Sequence, residues 1–301
     1  MLAVTILGNN SAIPAFDRHP TAQVITLDDH LFLIDCGEGT QTQMNKYKIR
    51  RSRINHIFIS HLHGDHYFGL IGLITSMGLL GRHQDLNLYG PALLKDIFDL
   101  QLRVADTQLP FNLIFHPLQE EGLLVKETRF QVDCFRVFHR IECWGFIFRQ
   151  VRPPRRVNPE KARISGIPAS FFDRLKWGED YETKEGTLIQ NATVTDPAPL
   201  ARSYAYSADT LFHLDIAVKV QGVNMLYHET TYLKDLEERA RNRYHCTTIQ
   251  AATIAKTAGV KQLLIGHFSS KYDKLDEFES EAREVFPNTY LALEGVSYIV
   301  P

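Results

Sequence analysis

Six consecutive residues constrain this chain more than any other feature: His61-Leu62-His63-Gly64-Asp65-His66. They follow directly on Ile54–Ser60 (INHIFIS), an apolar, β-branched run that reads as a strand. The turn from a strand into a loop aims neighbouring side chains at one point. Three imidazoles and a carboxylate brought together there are the donor set of a borderline metal such as Zn²⁺. Gly64 gives the loop backbone freedom. Stray surface histidines are the alternative, but chance rarely places three histidines and an aspartate in one such turn. Four loop ligands cannot complete two tetrahedral sites, so others must come from elsewhere. His139, Asp209 and His267 each follow a strand-like run (Phe135–Phe138, Tyr204–Ala208, Leu263–Gly266). Each alone is equally well explained as a hydrogen-bonded loop residue; beside the cluster they are candidate ligands.

The rest of the chain reads as a layered α/β protein. Strands are expected at Val4–Gly8, Gln23–Leu27, Leu31–Asp35, Asn112–Phe115, Arg129–Val137, Trp144–Phe148, Arg202–Ser207, Ala217–Lys219, Asn224–His228, Gln262–Gly266, Tyr290–Leu293 and Ser297–Val300. Leu70, Leu73, Ile74 and Met77 recur at helical spacing within Gly69–Leu80. Pro91–Val104 is expected as a helix with proline at its first position, Thr247–Ala258 as one opened by a Thr-x-x-Gln capping box, and Asp276–Phe286 as a third. Residues 150–201 differ in character, with six prolines, many charges and little periodicity. They are expected to form an arm inserted into a single domain spanning 1–301.

With 301 residues the chain can bury about three quarters of its unfolded surface. No apolar run approaches the roughly 20 residues that span a bilayer. The start, MLAVTILG, lacks a basic region and a cleavage site and reads as a strand, so a cytoplasmic protein without membrane partners is expected. Cys36, Cys134, Cys143 and Cys246 show no C-x-x-C spacing and are expected as reduced core thiols. A net charge of −2 excludes a globally basic nucleic-acid binder but allows local patches. Two exist: Lys46, Lys48, Arg50, Arg51 and Arg53, then Arg149, Arg152, Arg155, Arg156, Lys161 and Arg163 at the root of the arm.

The H-x-H-x-D-H run after a strand resembles the metallo-β-lactamase superfamily, whose fold is a four-layer αβ/βα sandwich. Within it the chain is similar to the ribonuclease Z family, endonucleases that trim the 3′ end of tRNA precursors. Asp35-Cys-Gly-Glu-Gly-Thr-Gln41, Ser207-Ala-Asp-Thr210, His228-Glu-Thr-Thr231, His245-Cys-Thr247 and His267-Phe-Ser-Ser-Lys-Tyr272 carry the likeness, in the family's order. Two segments depart from it. Pro14-Ala-Phe-Asp-Arg-His19 keeps Arg18 of a P-x-K-x-R-N loop but has Phe16 and His19 for lysine and asparagine. Ala169-Ser170 stands where the family's arm has Gly-Pro.

The resemblance implies two zinc ions, one held by His61, His63 and His139 and the other by Asp65, His66 and His267, with Asp209 shared. Two cations about 3.5–4 Å apart clamp the attacking and leaving oxygens of a phosphodiester. It further implies that Asp65 is the general base, that His245 protonates the leaving ribose oxygen and that Glu229 orients His245; the role of His228 stays open. Precursor tRNA is the implied substrate, a homodimer the implied assembly, and Arg18, Arg152, Arg155 and Arg156 the candidate RNA contacts. The rival readings are a small-nucleotide phosphodiesterase, a glyoxalase-type thioesterase, and a non-catalytic nucleic-acid-binding member that would have lost ligands.

Overall fold

Short apolar strands separated by helices build two seven-stranded sheets in the computed structural model, which describes residues 1–151, 154–198 and 200–301. The first sheet is made of β1 (Leu2–Gly8), β2 (Ala22–Leu27), β3 (His30–Ile34), β4 (Ile54–Phe58), β5 (Leu86–Gly90), β6 (Leu113–Pro117) and, from the end of the chain, β18 (Ser297–Ile299). Its order is β18-β1-β2-β3-β4-β5-β6, antiparallel up to β3 and parallel from β3 to β6. Helices α1 (Thr40–Lys46), α2 (Gly64–Tyr67), α3 (Leu70–Leu79) and α4 (Leu93–Val104) belong to this half.

The second sheet takes β7 (Gly122–Lys126), β8 (Phe130–Arg136), β9 (Trp144–Gln150), β14 (Ser203–Ser207), β15 (Met225–Glu229), β16 (Gln262–Gly266) and β17 (Thr289–Leu291). Its order is β17-β16-β15-β14-β9-β8-β7. Four helices accompany it: α8 (Asp215–Lys219), α9 (Glu237–Asn242), α10 (Thr248–Ala258) and α11 (Asp276–Val285).

The period-2 alternation of strands decides the layering. Phe32 and Ile34 of β3 and Phe58 of β4 point into the core between the sheets, where Phe32 meets Phe148 with ring centroids 5.3 Å apart and Phe58 meets Phe146 at 5.3 Å. Each such fully buried ring contributes roughly 1.5–3 kcal/mol. Leu33 and Ile57, one residue out of phase, face Leu70, Leu73, Ile74 and Met77 of α3 and Leu94 and Phe98 of α4. On the far side Ile216, Ala252, Ile254 and Phe278 close the helices onto the second sheet. The outcome is the expected αβ/βα sandwich.

Between β9 and β14 lies a small unit with α5 (Pro159–Ile164), α6 (Phe172–Lys176), α7 (Asn191–Val194) and two strand pairs, β10 (Arg156–Val157) with β13 (Thr195–Asp196) and β11 (Tyr181–Glu182) with β12 (Leu188–Ile189). Asn158 caps α5 by accepting from the Lys161 amide, with Pro159 at the first position. Ala162, Ile167, Leu175 and Val194 form a core of its own, against which Phe171 and Phe172 pack.

Several expectations need correction. Ala217–Lys219 is the end of a short helix, because Ile216, Ala217 and Val220 are buried at helical and not alternate spacing. Pro91 lies before Ala92, the residue that caps α4, and so stands outside the helix it was expected to open. Strands β5 and β7 and helices α1 and α9 are not among the elements expected from the sequence. The Thr247–Gln250 capping box of α10 is formed, and Gly259 ends that helix in the left-handed conformation at φ 64°. All four cysteines are free and buried. Among the described residues no helix is long and apolar enough to cross a membrane.

Candidate metal centre

Three parallel strands of the second sheet and one of the first end at the same edge of the sandwich. His61 follows β4, Asp209 follows β14, Glu229 ends β15 and His267 follows β16. Carboxyl ends of parallel strands are where backbone turns leave side chains free to converge on a ligand. His139, after β8, and His245, before α10, come in from the loops beside them.

The seven candidate ligands fall into two groups that meet at one carboxylate. His61, His63, His139 and Asp209 present ligand atoms within 4.8 Å of one another, and so do Asp65, His66 and His267. His63 Nδ1 lies 3.1 Å from both His61 Nε2 and His139 Nε2. Asp209 Oδ2 is 3.7 Å from His61 Nε2, while its Oδ1 is 3.5 Å from His66 Nε2 and 3.2 Å from His267 Nε2. Asp65 Oδ2 completes the second group at 3.6 Å from His66 Nε2 and 3.5 Å from His267 Nε2.

Two observations fit this set to cations. The Nε2 atoms of His66 and His267 are buried and have no hydrogen-bond partner, which is costly for a ring nitrogen unless something else meets it. The carboxylates also draw positive charge inward. Burial would lower the His66 pKa, yet Asp209, Asp65 and Asp35 together hold it well above the ordinary value. Burial and its histidine neighbours push His63 down to about 4, leaving a neutral ring suited to ligation. Burial would raise Asp65, but His66 and His267 hold it well below the usual carboxylate range.

The scaffold behind the ligands includes a residue to which sequence reasoning gave no role. Asp35, fully buried after β3, accepts from the Ser60 amide at 2.7 Å, the Ser60 hydroxyl at 2.8 Å, the Tyr206 hydroxyl at 2.6 Å and His66 Nδ1 at 2.7 Å. It fixes which way the His66 ring faces. Its φ of 54° is left-handed, as is that of His267 at 60°. Two non-glycine residues held there mark a backbone bent to aim side chains. The signal for Asp35 was present, since it too is a polar residue straight after a strand. His267 is steadied by Thr231, whose hydroxyl lies 2.9 Å from Nδ1. Gly64 opens α2, and its lack of a side chain answers a close approach: a Cβ there would lie 2.1 Å from the Phe68 ring.

A cleft of about 670 Å³ opens onto the centre, lined by Asp65, Asp209 and His245 within and by Arg140, Arg239 and Lys271 at its mouth. His245 Nδ1 lies 3.1 Å from Glu229 Oε1. Burial would lower the His245 pKa, but Glu229 outweighs it and pushes the value up to about 9. Glu229 is itself held by the amides of Thr210, Thr231 and Cys246. His228 is buried, its Nδ1 donating to the Glu229 carbonyl at 2.8 Å.

The candidate RNA contacts are placed differently. Arg18 is buried, donating to Asn10 Oδ1 at 2.9 Å and to the carbonyls of Asp273 and Tyr272. It ties the N-terminal loop to the turn after His267. Arg155 donates to Thr195 Oγ1 at 2.7 Å and Arg156 is exposed, both near the start of the small unit between β9 and β14. Arg152 lies outside the described residues. The first basic run precedes β4, at the opposite end of that strand from His61, and so lies away from the centre.

Comparison with known proteins places this geometry among relatives. A family model described as anti-Pycsar protein Apyc1 matches residues 2–148 and so stops short of Asp209, Glu229, His245 and His267. A protein of Bacteroides fragilis named ribonuclease Z is 42% identical over 293 residues, covering 97% of this chain and 96% of the relative. One of the same name from Parabacteroides distasonis is 39% identical, covering 97% of each. The crystal structure of human tRNase Z, short form, superposes with a TM-score of 0.73 at 27% identity, covering 99% of both chains.

Proposed function

The chain belongs to the ribonuclease Z family, and from that premise we propose that it cleaves the 3′ trailer from precursor tRNA at a dinuclear zinc centre. Its reaction class is phosphodiester hydrolysis, with a tRNA 3′-hydroxyl and a trailer 5′-phosphate as products. The observation that carries the reading is the shared carboxylate: Asp209 offers one oxygen to each of two ligand groups.

His61, His63 and His139 would hold one zinc ion and Asp65, His66 and His267 the other. When bound, such ions supply Lewis-acid polarisation of the phosphate and lower the pKa of water. Asp65 is ionised at neutral pH and faces the cleft, where it takes the proton of the attacking water. His245 keeps its proton at neutral pH and gives it to the departing ribose 3′-oxygen. Glu229 maintains that protonation and the ring's orientation. Arg18 acts by shaping the loop whose Ala12 amide donates to Asp65 at 2.7 Å. Residues 150–201 supply the surface that grips tRNA away from the cut, with Arg155 and Arg156 at its base and Arg152 as a further contact named from the sequence alone, since phosphate contacts dominate nucleic-acid affinity. The protein works as a cytoplasmic homodimer.

Incubation with a tRNA carrying a 3′ trailer tests the activity. Cleavage after the discriminator base is expected, lost on chelation and restored by zinc. An intact precursor with zinc-loaded protein rules the reading out. The acid role of His245 gives a second expectation. Its raised pKa means that the proton is present below about pH 9 and lost above it, so kcat should fall on the alkaline side of that value. Glu229→Gln removes the charge that raises it, and the alkaline limb should move to lower pH with kcat at pH 8 reduced by about tenfold or more. An unmoved limb in that variant removes Glu229 from this role.

A further inference from the structure

Of the phenyl and phenol rings that line the cleft, two face solvent: Phe68 at 64% exposure and Tyr244 at 41%. Neither belongs to a hydrophobic core of the described residues. They sit at different groups of the site. The Phe68 ring lies against Gly64, the residue before Asp65. Tyr244 directly precedes His245 in the loop between α9 and α10.

The backbone at position 244 does not call for a tyrosine. Its φ of 59° is left-handed, a conformation that glycine or asparagine adopts at least cost and a bulky residue at more. The turn closes through main-chain groups. The amides of Tyr244 and His245 donate to the carbonyls of Arg241 at 3.2 Å and Ala240 at 2.9 Å, and the Tyr244 carbonyl lies 3.0 Å from His139 Nδ1. Any residue would supply these atoms. What the tyrosine adds is a ring in the cleft, with Arg239 and Arg243 beside it. A strained backbone beneath a side chain that no core requires points to a use in the site.

In-line displacement puts the attacking and leaving oxygens on opposite sides of phosphorus. The leaving oxygen belongs to the ribose of the last nucleotide that stays on the tRNA, so this nucleotide lies on the His245 side. Phe68, beside Asp65, belongs to the attacking side. We propose that Tyr244 stacks on the base of that last nucleotide and so positions its ribose 3′-oxygen at His245. The inference rests on the tRNA 3′-processing reading, in which His245 faces the departing oxygen. Stacking uses the π face that every base shares, so the position accepts any base, while Arg239 and Arg243 meet backbone phosphates.

Single-turnover cleavage by the zinc-loaded full-length chain tests this, with a 3′-extended tRNA and the same RNA lacking the base at that nucleotide. Removing the base should slow the parent about 10–100-fold, the range of one lost base–aromatic stack. Tyr244→Leu should slow cleavage of the intact RNA by a similar factor and of the abasic RNA hardly further, because the two changes remove one contact. Tyr244→Phe and Tyr244→Trp keep a stacking face and should restore the rate lost in Tyr244→Leu. With metal-free chains, which leave the RNA uncut, 2-aminopurine at the same nucleotide should be quenched on binding to the parent and to Tyr244→Phe and stay brighter with Tyr244→Leu. A purely structural role would instead make Tyr244→Leu slow both RNAs by the same factor. That result, or equal emission with the parent and Tyr244→Leu, overturns the inference alone. A parent chain that leaves the intact precursor uncut overturns it together with the tRNA-processing reading.

Discussion

Asp209→Ala is expected to lower cleavage of a 3′-extended precursor tRNA by roughly 10³-fold or more and to leave the purified chain short of bound metal. The two oxygens of this carboxylate serve different groups, Oδ2 facing His61 and Oδ1 facing His66 and His267. Its loss leaves one group with three neutral rings and the other with Asp65 as its sole anion. Cation charge stabilisation of a phosphodiester transition state is worth several kcal/mol, and each 1.36 kcal/mol is a factor of ten. The fold should survive, because Asp209 lies at the sheet edge and outside the hydrophobic core. Asp65→Ala is the companion measurement, and its proposed roles as general base and ligand put the expected loss at about 10²–10⁴-fold. Metal content by elemental analysis and single-turnover cleavage should be read on the same samples. Full metal content and parental rate in Asp209→Ala would dismiss the shared carboxylate.

Asp35→Ala should be the most damaging single change to stability near the centre, costing about 3–5 kcal/mol. The carboxylate accepts four hydrogen bonds, and its removal strands the Ser60 amide and hydroxyl, the Tyr206 hydroxyl and His66 Nδ1, all buried. Stranded buried donors cost their full desolvation, which far exceeds the modest net worth of the bonds themselves. With the His66 ring no longer fixed, metal affinity should also fall about 10–100-fold. Tyr206→Phe removes one donor and leaves the acceptor satisfied by the others, so about 1 kcal/mol is expected. Urea unfolding of the metal-free chains separates the two effects, since a shifted midpoint at constant slope reports stability alone. An Asp35→Ala midpoint within error of the parent would show that the network is dispensable.

Much of this arrangement could be read from local pattern. The run 61–66 identifies itself, because a strand's alternation ends where its polar residues begin, and that transition needs no long-range information. The same transition marks His139, Asp209, His267 and Asp35. Helix α10 announces its start through Thr247 and Gln250, whose reciprocal bonds are made within one turn. Short segments misled for a physical reason: three apolar residues at 216, 217 and 220 are too few to separate period 2 from period 3.6, and contact with the second sheet selects the helix.

The six residues at 61–66 settled by themselves that donor nitrogens and a carboxylate would crowd one loop, since their spacing and the preceding strand are local properties. Which ring nitrogen faces inward, which carboxylate is shared between the two groups, and that Arg18 is a buried brace while Arg140 faces His63 were decided by tertiary structure alone. Those facts depend on hydrogen bonds between residues up to 255 positions apart, as from Arg18 to Asp273, and folding pairs such groups only once both sheets have closed around them.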